Sequence, residues 1–106
     1  MTQAEARTAA AVRQRALVLN VDDYDPGRYA TSRVLRQAGF EVVDAATGEE
    51  ALRLVQAEAP DLVVLDVNLP KMNGFDVCRK IRDNSLTPVI MLTGRTDEEH
   101  VLQGFN

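Results

Sequence analysis

The sequence predicts one α/β domain, in which an open parallel sheet carries helices on both faces. Short apolar runs alternate with segments whose apolar residues recur at helical spacing, in the order βαβαβαβα. The runs are apolar throughout, as expected for strands that are buried on both sides. At 106 residues, the chain has room for one small domain.

The predicted strands cover residues 16–21, 40–44, 61–66 and 88–92. Start signals precede the helices: Asp25 is a candidate cap before Pro26, and capping boxes begin at Thr47 and Thr96. Gly39 is expected to end the first helix as a left-handed cap. The residues predicted to form the inner face of that helix are Ala30, Val34, Leu35 and Ala38.

Composition and charge narrow the classes of function. The net charge is −4, whereas a domain whose main partner is DNA usually presents a basic face, so we expect no direct nucleic-acid binding. No apolar run approaches the roughly 18 residues of a membrane span. Residues 1–15 are expected to be a leader, linker or frayed helix without the apolar core of a signal peptide. With Cys78 as the one cysteine, these features favour the cytoplasm.

Acidic residues stand at the predicted strand ends, where open parallel α/β sheets form their sites. The first strand ends in Asp22 and Asp23, the third in Asp66, and the fourth in Thr93. If the first and third strands are neighbours, three carboxylates converge, and their mutual repulsion favours a divalent cation. Carboxylates and a carbonyl suit Mg²⁺, and Asp66 could then act as a nucleophile on phosphorus.

Other types of site fit these residues less well. Asp25 alone is better explained as a helix cap than as a ligand. A haloacid-dehalogenase-type phosphohydrolase needs an acid where Asn68 stands, and a flavin-binding protein needs a phosphate loop that the acidic run after the first strand would oppose. A calcium loop fails because Val34 occupies the position of its bidentate glutamate.

Three segments together resemble the response-regulator receiver family, and the resemblance covers residues 16–106. They are Val21-Asp22-Asp23, Leu65-Asp66-Val67-Asn68-Leu69-Pro70 with Asn73-Gly74, and Val89-Ile90-Met91-Leu92-Thr93-Gly94. Each motif alone would be weak, but their order and spacing together are specific. The resemblance implies a flavodoxin-like fold with strand order 2-1-3-4-5.

The resemblance also implies the roles of the site residues. Asp66 would be the phosphoacceptor, and Mg²⁺ would be held by Asp22, Asp23, Asp66 and the backbone carbonyl of Asn68. The residues implied for phosphoryl binding and switching are Thr93 and Gly94. The implied function is that of a signalling domain, not an enzyme in the usual sense, which takes a phosphoryl group from a sensor histidine kinase or phosphotransfer protein.

One departure from the family pattern concerns the end of the domain. The family has a fifth strand with a lysine that contacts the phosphoryl group, and then a fifth helix, whereas this chain stops at Asn106. Lys71 and Lys80 lie at other positions, so we expect no lysine of this chain to take the place of the one that contacts the phosphoryl group. We therefore expect the order 2-1-3-4, with the fourth strand as an edge able to self-associate. The alternative function is a protein-interaction module that works without phosphorylation.

Overall fold

The computed structural model describes residue 2 and residues 14–69 and 71–92, which form a regular alternation of strands and helices. The seven elements are β1 (Leu17–Val21), α1 (Asp25–Gln37), β2 (Glu41–Ala45), α2 (Gly48–Glu58), β3 (Leu62–Asp66), α3 (Gly74–Asn84) and β4 (Val89–Leu92). The predicted order is confirmed, and the strand boundaries agree with the apolar runs to within one residue. The last predicted helix, which would begin at Thr96, lies outside the described residues.

The four strands form one parallel sheet in the order β2-β1-β3-β4, as predicted. The β1–β2 and β2–β3 connections run in opposite directions along the sheet, so right-handed crossovers place α1 on one face and α2 on the other. The contacts agree, because α1 packs on β1 and β2 while α2 packs beside α3. None of these helices is long and apolar enough to cross a membrane, among the residues described.

The register between β1 and β3 is fixed by a reciprocal pair of hydrogen bonds between the first residue of β1 and the residue that precedes β3. The backbone N–H of Leu17 donates to Asp61 Oδ2 at 2.8 Å, and the N–H of Asp61 donates to the Leu17 carbonyl at 2.8 Å. Further along, Val21 is the register partner of Leu65. Since both strands run in the same direction, this alignment brings their carboxyl ends to the same edge of the sheet.

The start of α2 follows the predicted capping box. Thr47 Oγ1 accepts the N–H of Glu50 at 3.1 Å, and Glu50 Oε1 accepts the N–H of Ala46 at 3.2 Å. These bonds satisfy backbone donors that a helix start would otherwise leave unpaired. At the end of α1, Gly39 has a φ of 100°, which confirms the predicted left-handed cap.

The predicted cap of α1 was wrong. Asp25 is the first helical residue, and the capping position belongs to Tyr24, whose side chain makes no capping hydrogen bond. Asp25 instead pairs with Arg28, at 2.7 Å between Oδ1 and a guanidinium nitrogen. The carboxylate still lies in the first turn, where it interacts favourably with the positive end of the helix dipole.

The apolar core lies between the sheet and the pair α2 and α3. Its buried members come from all four described strands, two helices and the loop after β3: Leu19, Val21, Ala45, Ala51, Val55, Val63, Leu65, Leu69, Val77, Cys78, Ile81 and Met91. Burial of this kind stabilises the fold by roughly 25 cal/mol per Å² of apolar surface removed from water.

The opposite face of the sheet is organised differently, and the predicted inner face of α1 was wrong. Val34 is 64% exposed, whereas Ser32 is 1% exposed and points at the sheet. The reason lies in β1, where Asn20 is 2% exposed and its amide donates to Ser32 Oγ at 2.9 Å. A buried amide requires a polar partner, so α1 turns its hydroxyl inward instead of its valine.

The last described strand leaves apolar side chains partly open. Within residues 14–92, β4 pairs with β3 alone, so its other edge has no partner among the described strands. Met91 is 5% exposed and faces the core, while Ile90 is 37% and Leu92 is 41% exposed. The alternation shows that one face of β4 is covered by the core and the other is not.

A matched pair of leucine substitutions tests this assignment of the core. We expect Leu19→Ala to lower the free energy of unfolding by about 2–5 kcal/mol, because Leu19 is fully buried and its loss leaves a cavity. Leu86→Ala removes the same atoms from a side chain that is 87% exposed, and should change stability by less than about 0.5 kcal/mol. Urea denaturation followed by circular dichroism measures both, and equal effects would contradict the assignment.

Candidate metal and phosphoryl site

Three carboxylates meet at the carboxyl edge of the sheet. Asp22 and Asp23 follow β1 directly, and Asp66 is the last residue of β3. One carboxylate oxygen from each residue lies within 4.8 Å of the others. Asp66 is 5% exposed, and the other two are half-buried. The structure thus brings together the three acids that the strand ends predicted.

Each carboxylate is held differently. Asp22 Oδ1 accepts the N–H of Tyr24 at 2.9 Å, and Asp66 Oδ1 accepts the N–H of Asn68 at 2.9 Å. Asp23 Oδ1 is buried, yet it has no hydrogen-bond partner among the described residues. A buried carboxylate oxygen without a donor is costly, and a cation beside it would remove that cost.

The local environment opposes the negative charge on Asp22. Burial raises the pKa of this carboxyl above its usual value of 3.8, the N–H of Tyr24 lowers it, and the neighbouring Asp66 and Asp23 raise it further. Desolvation and like charges both disfavour an ionised carboxylate. The same conditions that weaken this charge in the free domain would strengthen its attraction for a divalent cation.

The donor set suits a hard cation. Carboxylate oxygens arranged on one side of a partly open site are the ligands that Mg²⁺ accepts while it keeps several waters. The residues present therefore fit Mg²⁺, with Asp22, Asp23 and Asp66 as its protein ligands. Zinc fits less well because it favours histidine and cysteine, and the cluster contains neither.

The start of α3 packs against the backbone of Asp66 through a glycine. A Cβ at Gly74 would lie 2.5 Å from the carbonyl oxygen of Asp66 and 2.5 Å from the Cα of Val67, so a larger residue would collide with backbone. The Gly74 N–H also donates to the Val67 carbonyl at 2.9 Å. Gly74 belongs to one of the three sequence motifs, but the reason for a glycine there is visible only in the close packing.

The remaining predicted site residues have different outcomes. Asn68 lies beside the cluster and its N–H holds Asp66, while the role of its backbone carbonyl as a metal ligand stays a prediction. Thr93 and Gly94 lie outside the described residues. Sequence reasoning missed Arg28, whose guanidinium donates to the backbone carbonyl of Asp22 at 2.9 Å. Its position in the first helical turn after the acids was the available signal.

Comparison with protein families gives a match over most of the chain. Residues 18–106 match the family described as the response regulator receiver domain. The transcriptional regulatory protein AfsQ1 of Streptomyces coelicolor is 44% identical over 87 residues, which are 82% of this chain and 39% of that protein. The DNA-binding response regulator MtrA of Mycolicibacterium smegmatis is 45% identical over 93 residues, 88% of this chain and 40% of that one. The chain thus spans about two fifths of the length of these relatives.

Solved structures give the same result. The chemotaxis protein CheY4 of Vibrio cholerae superposes with a TM-score of 0.73 at 42% identity, covering 80% of this chain and 73% of that one. The response regulator protein TrrA of Thermotoga maritima was solved in complex with Mg²⁺ and BeF. It superposes with a TM-score of 0.73 at 32% identity, covering 82% of this chain and 76% of that one. The flavodoxin-like arrangement implied by the sequence is therefore confirmed, with the described strands in the order 2-1-3-4.

The raised pKa of Asp22 predicts a stability effect with a definite sign. A carboxyl whose pKa is higher in the folded than in the unfolded state destabilises the fold above that pKa, and the penalty disappears below the unfolded value, where both states are protonated. In Mg²⁺-free buffer at neutral pH, Asp22→Asn should therefore raise the melting temperature. The advantage should shrink as the pH falls toward 3.8.

Asp83→Asn on the exposed surface of α3 is the matched control, because it removes one negative charge away from the cluster. Thermal melts of the three proteins between pH 3.5 and 7.5 make the comparison. A melting temperature that is lower for Asp22→Asn than for the wild type at neutral pH would contradict the prediction.

Proposed function

The chain belongs to the response regulator receiver domain family, and from this premise we propose that it accepts a phosphoryl group on Asp66 with the help of Mg²⁺. The single observation that carries the proposal is the cluster of three carboxylates in which Asp23 Oδ1 is buried without a partner. Such a cluster is unfavourable alone and becomes favourable with a divalent cation. When bound, Mg²⁺ would neutralise charge on the phosphoryl oxygens.

Asp66 is the best placed of the three acids to act as the nucleophile. Its Oδ1 is held by the N–H of Asn68, which fixes the plane of the carboxylate, and its backbone is fixed by β3. In the transfer, a carboxylate oxygen of Asp66 forms a bond to phosphorus while the bond from phosphorus to the donor breaks. Asp22 and Asp23, at the adjacent strand end, would remain to hold the metal together with Asp66.

The donor follows from this chemistry. We propose that this chain acts in the cytoplasm and that its partner is a sensor histidine kinase or phosphotransfer protein. The aspartyl phosphate would serve in signalling, not in metabolism. AfsQ1 is named as a transcriptional regulatory protein and MtrA as a DNA-binding response regulator, and each is about two and a half times as long as the matched segment. We therefore assign the output to parts of the protein outside this domain, and we propose no nucleic-acid contact for the acidic domain itself.

A labelling experiment tests the phosphoacceptor. We expect radiolabelled acetyl phosphate to label the wild-type chain in the presence of Mg²⁺, and chelation of the metal to abolish the label. Asp66→Asn should remove the label without unfolding the domain, because the amide oxygen can still accept the N–H of Asn68. Asp61→Asn is unsuitable as a control, because it alters the hydrogen bonds between Leu17 and Asp61 that fix the strand register. Asp83→Asn is the control instead, and it should be labelled as the wild type is.

The outcomes of that experiment distinguish two functions. Label that maps to a residue other than Asp66 would overturn the assignment of the phosphoacceptor. A folded wild-type chain that binds no Mg²⁺ and takes no label would instead favour the alternative, a protein-interaction module independent of phosphate. Amide shifts of residues 22, 23 and 66 during a Mg²⁺ titration report the metal separately from the label.

We also propose that this chain self-associates through β4. Its outer edge has no partner among the described strands, and Ile90 and Leu92 are partly exposed beside it, so a second strand could pair there. Light scattering coupled to size exclusion should give a mass above the 11.7 kDa of one chain.

Ile90→Lys should shift this mass toward the monomer, because a charge on an edge strand opposes pairing. Val34→Lys, at an exposed position on α1, is the control for adding charge to an apolar surface elsewhere and should leave the mass unchanged. A wild-type monomer at all concentrations, with a cooperative urea transition, would contradict the proposal.

A further inference from the structure

Both backbone polar groups of Asp22 are held by partners outside its own loop. Its N–H donates to the Ala45 carbonyl at 3.1 Å, which continues the β1–β2 pairing by one residue. Its carbonyl accepts a hydrogen bond from the Arg28 guanidinium at 2.9 Å. The second guanidinium nitrogen of Arg28 contacts Asp25 Oδ1 at 2.7 Å. Arg28 thus connects the start of the acidic loop to its end, and its side chain is only 21% exposed.

The backbone of Arg28 is fixed in turn by a buried amide. Asn20 Nδ2 donates to the Arg28 carbonyl at 3.0 Å and to Ser32 Oγ at 2.9 Å. The Ser32 hydroxyl donates to Asp44 Oδ1 on β2. Asn20 and Asp44 are register partners on adjacent strands, so the hydroxyl ties α1 to both. Asn20 and Ser32 are 2% and 1% exposed, which makes this a buried polar connection.

We infer that Arg28, held by Asn20, is a positioning residue for the proposed Mg²⁺ site. It touches the backbone of a ligand residue and not, in this structure, a ligand oxygen. By fixing the Asp22 carbonyl it determines where the Asp22 and Asp23 side chains leave the backbone. The inference rests on the proposed function, since it concerns how the ligands of that site are positioned for the cation. Neighbours that orient metal ligands commonly affect metal affinity about 10–100-fold.

Because Arg28 is positively charged, the direction in which its removal changes the Mg²⁺ affinity tests its positioning role. A guanidinium beside a cation site repels the cation, so by Coulomb's law its removal should tighten Mg²⁺ binding. If the guanidinium instead positions the loop, its removal should weaken binding, despite the favourable change in charge. The two effects act in opposite directions, and the measured direction shows which one dominates.

The experiment measures Mg²⁺ affinity from amide shifts of residues 22, 23 and 66 in four proteins. These are the wild-type chain, Arg28→Met, Arg28→Lys and Arg79→Met. Arg79 also pairs with an aspartate three residues earlier in a first helical turn, at 3.3 Å from Asp76, and it is 71% exposed. Arg79→Met therefore removes the same charge and the same kind of ion pair from α3.

We expect Arg28→Met to weaken Mg²⁺ binding about 10-fold, and Arg28→Lys to weaken it less, because the lysine ammonium keeps a hydrogen-bond donor near the loop although it lacks the two-pronged geometry. Arg79→Met should bind as the wild type does. Mg²⁺ binding by a folded Arg28→Met that equals or exceeds the wild type would overturn the inference. If Arg28→Met does not fold, Arg28→Lys decides, and unchanged affinity there overturns it.

The failure of the inference is distinguishable from that of the proposed function. A wild-type chain without a saturable Mg²⁺ response would overturn the proposed site, and the positioning role with it. A saturable wild-type response, together with Mg²⁺ affinity in Arg28→Met that equals or exceeds the wild-type affinity, would overturn the positioning role alone.

Discussion

Repulsion among three carboxylates at one edge of the sheet is the constraint around which this domain is built. The oxygens of Asp22, Asp23 and Asp66 lie within 4.8 Å of one another, and burial raises the pKa of Asp22. This arrangement has only partial local support, from the N–H groups that Tyr24 and Asn68 donate to Asp22 and Asp66. It persists because the β1–β3 register, fixed by Leu17 and Asp61 at the far end of the strands, carries the acids to the same edge. The packing of the sheet offsets the repulsion at its edge.

The two faces of the sheet contribute to this arrangement in different ways. The α2 and α3 face supplies apolar burial, which is strong but not directional. The α1 face supplies directional hydrogen bonds through Asn20 and Ser32, and these continue through Arg28 to the backbone of Asp22. A buried network that is fully satisfied specifies one geometry more sharply than apolar contact does. The polar face therefore lies where the geometry of the acidic loop matters.

Close backbone packing completes the site on the side of β3. Gly74 lets the start of α3 approach the Asp66 carbonyl to a distance that no Cβ would allow. The neighbouring loop residue Lys71 has a φ of 64°, an uncommon conformation for a residue other than glycine. The close approach of Gly74 therefore helps to fix the backbone of the acid that we propose as the phosphoacceptor.

The sequence by itself determined the element order, the strand positions and the three acids, because hydrophobic periodicity and strand-end chemistry are local signals. The order of the strands needed the family resemblance as well. Sequence reasoning placed Val34 inward and made Asp25 a cap, and the structure shows both to be wrong. The orientation of α1 depends on a partner, Asn20, that lies on another strand and whose role no local pattern reveals. Likewise, only the tertiary structure decided that Arg28 reaches the Asp22 carbonyl and that Gly74 is in contact with backbone, because both follow from distances between segments apart in the chain.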